Sequence, residues 1–297
     1  MDRLEEEIFT GLTEQMEDET LKGKYTELPE KAYELLSRTR KGTDITVRDD
    51  QYDFPSLLDS VKQSRKKGFR FRLIDSGVLD RFNLEWLGEA GADIYTSDEV
   101  RVDALELELV NNACKKGKAI LAYFYHGPLE SDEQEKETDS LSFSEIRNMA
   151  RNGIYFYITN RERKPSFRAL NELANACLRG KSWLVYYHLG PIEPSLEELG
   201  RNGTWIHITD QSFCEAEDTN LVLDAVKSAL SSGVKMVLHV EKWLDYTPLR
   251  DIMSSGAHVL FKSSLFDYKS PFRSLEKEAR KRKLDFRAFY LYPNFLP

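Results

Sequence analysis

Histidine and cysteine are scarce in this chain, with five and three residues respectively among 297. Cys114, Cys177 and Cys214 are odd in number and far apart, which excludes a disulfide framework and a CxxC-type zinc or redox site. Cys114 and Cys177 fall at matching places in two long helical patterns, shortly before Gly117 and Gly180, as small buried apolar residues do. The histidines form no HxH or HExxH pattern, so no metal is assigned. GxGxxG, GxxxxGK[ST] and GxSxG are also missing, which removes the usual phosphate-cradling loops and the nucleophile elbow and leaves the cofactor unknown. No run of about 18 apolar residues occurs, and the first residues are acidic rather than basic and then apolar. The expectation is a soluble, cytoplasmic protein without a membrane partner.

Positive charge is in short supply as well. The net charge is -8; residues 1–50 hold 8 Lys/Arg against 14 Asp/Glu, a balance of -6 that leaves -2 for the other 247 residues. A body this close to neutral has no global field for a nucleic-acid backbone. The basic clusters at 65–67 and 280–283 end predicted helices, where cations complement the helix dipole.

What the chain does have is a repeat. Leu196 to Asp210 reads as a short amphipathic helix, a glycine stop and a buried strand, and the same design recurs around Gly91, Gly153 and Gly256. In each copy a polar residue stands seven positions after the glycine: Asp98, Asn160, Asp210 and Ser263. Long helices are expected at 55–67, 100–116, 165–179, 219–232 and 271–283, with prolines near three starts and Gly68, Gly117, Gly180 and Gly233 as stops. They feed the strands FRFRLID, AILAYFYH, WLVYYHL, KMVLHVE and FRAFYLY, giving nine candidate strands in repeated αβαβ units.

Strands alternating with helices pair in parallel, and near-continuous apolarity fits a sheet whose faces are covered. A regular repeat disfavours a doubly wound sheet, whose order must reverse. Barrel interiors are layered by alternate strands, so a period of two βα units suits a (βα)8 TIM-barrel-like fold with a ninth strand. An open αβ solenoid is the alternative. Residues 1–52 read as an acidic helical N-terminal arm and linker, and 53–297 as the repeated α/β barrel-like domain. An acidic polar insertion at 131–142 breaks the spacing.

In such a fold, function sits at the carboxyl ends of the strands. Those ends carry Asp75, Asp98, Tyr125 with His126, Asn160, His188, Asp210, Glu241 with Lys242, and Lys262 with Ser263. Asp98, Asn160, Asp210 and Ser263 share one repeat position, and as good caps and turn formers they need no ligand. Asp75, His188 and Glu241 share another with Tyr125, where the scaffold has no need of an acid or imidazole. These three are the catalytic candidates, as acid, base or ligand, with Lys242, Lys262, His126 and Tyr125 as candidates for binding a substrate. His207 and His239 lie inside strands as core or lining residues, and His258 begins one. The strand aromatics are core.

Two functions follow. The first is a soluble barrel-type enzyme acting on a small polar molecule at the strand ends by acid–base or metal-assisted chemistry. The second is a non-catalytic interaction or scaffold protein that meets a protein partner through the N-terminal arm or the 131–142 insertion.

Overall fold

The computed structural model describes residues 28–42, 44–129, 141–161, 163–214, 219–240, 245–261, 271–284 and 286–288. Most of the arm, Glu130 and residues 131–140 of the insertion, Glu241, Lys242, Lys262, Ser263 and the end of the chain lie outside them. The elements alternate helix and strand: α1 (Leu28–Lys41), β1 (Ile45–Arg48), α2 (Phe54–Lys67), β2 (Phe71–Ile74), α3 (Arg81–Ala90), β3 (Ala92–Ser97), α4 (Ala104–Gly117) and β4 (Leu121–Tyr125). Then come α5 (Phe143–Arg151), β5 (Tyr155–Thr159), α6 (Phe167–Gly180), β6 (Leu184–His188), α7 (Pro194–Arg201), β7 (Trp205–Thr209), the single turn α8 (Gln211–Cys214) and α9 (Thr219–Ser231). β8 (Lys235–Val240), α10 (Tyr246–Ser254), β9 (His258–Phe261), α11 (Pro271–Arg282) and β10 (Phe286–Ala288) complete it.

The hydrogen-bonded order of the strands is the order of the chain, β1 to β10, without reversal. This is the repeated parallel α/β, TIM-barrel-like winding expected from the sequence, with one strand more than the nine expected. The extra strand is β1, in a stretch read as linker. Its Ile45 and Val47 are buried and pair with Phe71 and Leu73, while Thr46 and Arg48 alternate with them, so four residues give too short a pattern to distinguish from a polar loop. The described residues divide into two compact units, the first within Glu17–Tyr157 and Ala176–Ser182, the second within Ile158–Asn175 and Trp183–Pro297.

Within the first unit, paired residues of a parallel ladder share a face. One face carries Ile45, Phe71, Leu73, Ile94 and Leu121; the other carries Thr46, Arg72, Asp93, Tyr95 and Ala122. The second face is buried but not apolar. Arg70 Nη1 lies 3.3 Å from Asp93 Oδ2, and Arg72 Nη2 lies 3.0 Å from Asp44 Oδ2. Burial raises the Asp93 pKa, with Arg70 opposing. In the second unit the split is similar: Ile206, Ile208, Met236 and Leu238 on one face, Trp205, His207, Thr209, Lys235 and His239 on the other.

Local signals set the helices. Asp53, Asp80 and Asp103 accept N-terminal N–H groups of α2, α3 and α4, and Ser142 with Glu145 forms a capping box on α5. Gly68 ends α2 in the left-handed region, at φ 79°. Gly117 and Gly180 do not act as stops. They are the last helical residues, and Lys118 (φ 58°) and Lys181 (φ 59°) take the left-handed position instead. The two glycines serve close packing: a Cβ on Gly117 would run into the carbonyl oxygen of Gly88, and one on Gly180 into that of Ala150. Cys114 Sγ sits 2.8 Å from where a Gly88 Cβ would stand, and Cys114 and Cys177 are free and buried, as expected. Desolvation raises both thiols, that of Cys177 up to about 12. Among the described residues no helix is long and apolar enough to cross a membrane.

Candidate functional site

The polar residues that follow the odd-numbered strands reach sideways to the next turn instead of capping the helix ahead. Asp49, after β1, accepts from the backbone N–H of Ser76 at 2.9 Å and from the Ser76 hydroxyl. Asp98, after β3, accepts from the N–H groups of His126 (2.8 Å) and Gly127 (2.9 Å). Asn160, after β5, accepts from Leu189 N–H at 2.7 Å and donates to Leu189 O at 2.7 Å. Each ties off the exposed backbone of the turn that follows the neighbouring even-numbered strand. That is a scaffold role, as the repeat implies, but the partner is one strand away in space and about 28 residues away in sequence. Asp210 N–H bonds to His239 O at 2.9 Å.

The second repeat position, at the ends of the even-numbered strands, holds Asp75, Tyr125 and His188. Tyr125 and His188 do the same work. The Tyr125 hydroxyl donates to Pro128 O at 3.2 Å, and His188 Nε2 donates to Pro191 O at 2.7 Å, so each braces its own Gly-Pro turn. His188 Nδ1 faces the Asn160 amide at 3.4 Å, and burial lowers the pKa of the ring. Both ring nitrogens of this neutral histidine are thereby engaged.

Asp75 is fully enclosed. Its carboxylate receives Arg101 Nε at 2.5 Å and Nη2 at 3.1 Å, the Thr96 hydroxyl at 2.8 Å and Gly77 N–H at 3.0 Å. Arg101 spends its remaining donors on Glu106 (2.6 Å) and Leu79 O (2.6 Å). Burial works against the guanidinium charge, but Asp75 and Glu106 hold its pKa above the ordinary value. The bidentate pair pins the turns after β2 and β3. Asp49 lies beside this network, and burial raises its pKa in spite of the Ser76 hydrogen bonds.

Among the described residues at the strand ends, His126 lies against a carboxylate. Its Nδ1 lies 2.6 Å from Asp98 Oδ1, while the other carboxylate oxygen is held by the two backbone N–H groups. An ionised carboxylate can only accept, so Nδ1 carries a proton in this contact. The two side chains are 9% and 14% exposed, and Nε2 itself is buried. Equivalent turns carry Ser76 and Leu189 where His126 stands, so the fold does not require an imidazole there.

A second histidine cluster lies in the second unit. His207 Nδ1 and His239 Nε2 are 2.8 Å apart, one donating to the other, with Tyr187 packed on both rings. His207 Nε2 has no hydrogen-bond partner among the described residues. Burial drives both imidazoles to the neutral form, with the His239 pKa at about 3 and that of His207 well below its ordinary value. Their adjacency depends on the register that sets Thr209 beside His239, so the sequence shows two core histidines and not a pair. Arg101 was equally hidden, since nothing local marks it as the partner of a residue 26 positions earlier. Asp49 had a readable signal, because it follows β1 as Asp98 follows β3. Of the other sequence candidates, Glu241, Lys242 and Lys262 lie outside the described residues. Among the described residues no group of three His, Cys, Asp or Glu side chains is placed to hold a metal ion.

No protein-family model matches the chain, and no curated protein matches it. Solved structures similar to it include a mandelate racemase/muconate lactonizing protein from Herpetosiphon aurantiacus, at 14% identity and a TM-score of 0.32, over 72% of this chain and 51% of that one. The chain thus spans about half the length of that protein. Deoxyribose phosphate aldolase from Aeropyrum pernix matches at 11% identity and a TM-score of 0.30, over 84% and 96% of the two chains. Methylaspartate ammonia lyase from Clostridium tetanomorphum matches at 11% identity and a TM-score of 0.35, over 85% and 62%.

Proposed function

We propose that the protein is a barrel-type enzyme that moves a proton on a small polar molecule at the carboxyl ends of its strands, with His126 as the acid–base residue and Asp98 as its orienting carboxylate. The single observation that carries this reading is the 2.6 Å contact between His126 Nδ1 and Asp98 Oδ1 at a place where related turns carry no imidazole. A carboxylate on one ring nitrogen raises the basicity of the other and stabilises the imidazolium formed when it takes a proton. Asp75 enters as support: its bond to Arg101 keeps the turns after β2 and β3 in place around the pair. His188 enters as a brace for the Gly-Pro turn, and Glu241, Lys242 and Lys262 remain candidates for contacts to the bound molecule.

The repeat supplies a clean variant. Asn160 holds its neighbouring turn through an amide that accepts from one backbone N–H, so Asp98→Asn should keep a clamp on the turn while removing the charge and setting an NH2 donor against His126 Nδ1. A thermal-shift screen of small hydroxy acids, keto acids and sugars would identify ligands, and turnover of any hit would be followed by proton exchange with solvent. Asp98→Asn and His126→Leu should each lower that exchange by about 100-fold or more, the usual worth of a positioned acid–base group, with the melting temperature little changed. Undiminished exchange in both variants would refute the assignment, and a large fall in melting temperature would return the pair to the scaffold.

A further inference from the structure

Seven large apolar side chains are exposed among the described residues, and five of them fall between 78 and 105: Val78 (68%), Phe82 (60%), Trp86 (58%), Val102 (48%) and Leu105 (66%). They lie on consecutive elements whose turns touch. Val78 lies in the turn before α3, Phe82 and Trp86 stand one helical turn apart on α3, and Val102 and Leu105 flank the start of α4. Arg101 Nη2 donates to Leu79 O at 2.6 Å, and a Cβ on Gly77 would lie 3.2 Å from Val100, so the turns before α3 and α4 are in contact. On the other flank the Phe54 ring, at the start of α2, lies 5.8 Å from that of Trp86. Exposed apolar side chains thus gather on α3 and at the starts of α3 and α4, with two exposed aromatic rings on one side of α3 and the half-buried Phe54 ring beside Trp86. Nothing in the acid–base reading accounts for it.

We infer that this surface is the interface of a homodimer, in which α3 of one chain packs antiparallel on α3 of a second copy. Area supports this occupant. With roughly 60% of each side chain exposed, the five residues offer on the order of 500 Å² of apolar surface. A standard interface buries about 800 Å² per partner, a little over half of it apolar, or roughly 450 Å². The exposed patch therefore matches the apolar part of a whole interface.

Charge also favours a second copy. α3 begins with Arg81 and carries Glu85 and Glu89 toward its end. Arg81 lies over the Phe82 ring at 4.3 Å and pairs with Glu85 at 3.0 Å, while the Asp80 carboxylate is turned onto the Asn83 N–H of its own helix. Antiparallel pairing about a two-fold axis near Leu84 sets Phe82 of each chain against Trp86 of the other. It also brings Arg81 of each chain toward the glutamates of its mate. Such pairing is self-complementary, as a two-fold contact must be, whereas parallel pairing would oppose like charges.

The full-length chain would be examined by sedimentation velocity from 1 to 100 μM in a buffer of physiological ionic strength. A shift from monomer to dimer within that range is expected, and a chain that stays monomeric at 100 μM overturns the proposal. Phe82→Gln with Trp86→Gln should raise the dimer dissociation constant at least tenfold with an unchanged far-UV circular dichroism spectrum. Because loss of the Phe54 contact could disturb the fold, a second set tests charge alone. Arg81→Glu should weaken the dimer several-fold, and adding Glu89→Arg should restore it. Dimerisation at wild-type strength in the aromatic double variant, or no rescue by the charge swap, would place the contact elsewhere and overturn the assignment.

Discussion

Acidification should destabilise the protein through His207 and His239, and the expected size can be worked from their geometry. Both rings are buried, they share a hydrogen bond of 2.8 Å, and burial disfavours the charged form of each. In the unfolded chain each titrates near its ordinary value of about 6.5. Folded, His239 titrates at about 3, with burial as the cause, and His207 is also driven well down. The sign follows from proton counting. Between pH 6.5 and the folded values the unfolded chain binds more protons than the folded one, so stability falls as pH falls. The loss begins near pH 6.5 and grows by about 1.4 kcal/mol per pH unit for each group. At pH 5 this amounts to roughly 2 kcal/mol for His239, with His207 acting in the same direction, a sizeable share of the 5–15 kcal/mol typical of folded proteins. Asp49 and Asp93 act in the opposite sense. Burial raises their pKa values, so acid relieves a cost they impose near neutrality, but they belong to the first unit. The second unit should therefore lose structure first. Urea midpoints at pH 7, 6 and 5 and constant ionic strength would measure the effect, with Tyr187 and Trp205 reporting from beside the pair. His239→Gln should roughly halve the dependence on pH. A midpoint that does not change between pH 7 and 5, or the same slope in His239→Gln, would refute the account.

Arg101→Ala should cost about 3–5 kcal/mol, because it leaves the buried Asp75 carboxylate without its bidentate partner; a loss below about 1 kcal/mol in denaturant titrations would contradict the enclosed geometry. Gly117→Ala should destabilise by roughly 1–3 kcal/mol through its clash with the Gly88 carbonyl, although alanine is the better helix former; a neutral or stabilising effect would mean that the two backbones can separate freely.

The sequence was most informative where the interactions are local. Gly68 as a stop and the buried strands around Ile94, Phe156, Ile206 and Leu238 follow from side-chain chemistry and from a pattern repeated often enough to stand out. Repetition also grouped Asp98, Asn160 and Asp210 as one position, and in two of them the side chain holds a turn, although Asp98 also meets His126. Their partners were not readable. Asp98 and Asn160 hold the turn one strand over, and that turn becomes a neighbour only when parallel strands pair in register. The same limit explains His188. Its departure from tyrosine looked like chemistry, yet imidazole Nε2 and the phenol hydroxyl of Tyr125 reach the same turn carbonyl three residues on, a likeness that depends on the path of the turn.

Parallel α/β order, the approximate places of nine strands and the burial of Cys114 and Cys177 were thus determined by the sequence alone, because hydrophobic period, helix caps and glycine stops act within a few residues. Only the tertiary structure decided which polar groups meet. The pairs Asp75 with Arg101, Asp98 with His126 and His207 with His239 span 26, 28 and 32 residues, and each depends on strand register and on burial removing the water that would otherwise satisfy these groups. The exposed surface of α3 belongs to the same class. Phe82 and Trp86 are ordinary core residues by type, and only packing left them facing outward.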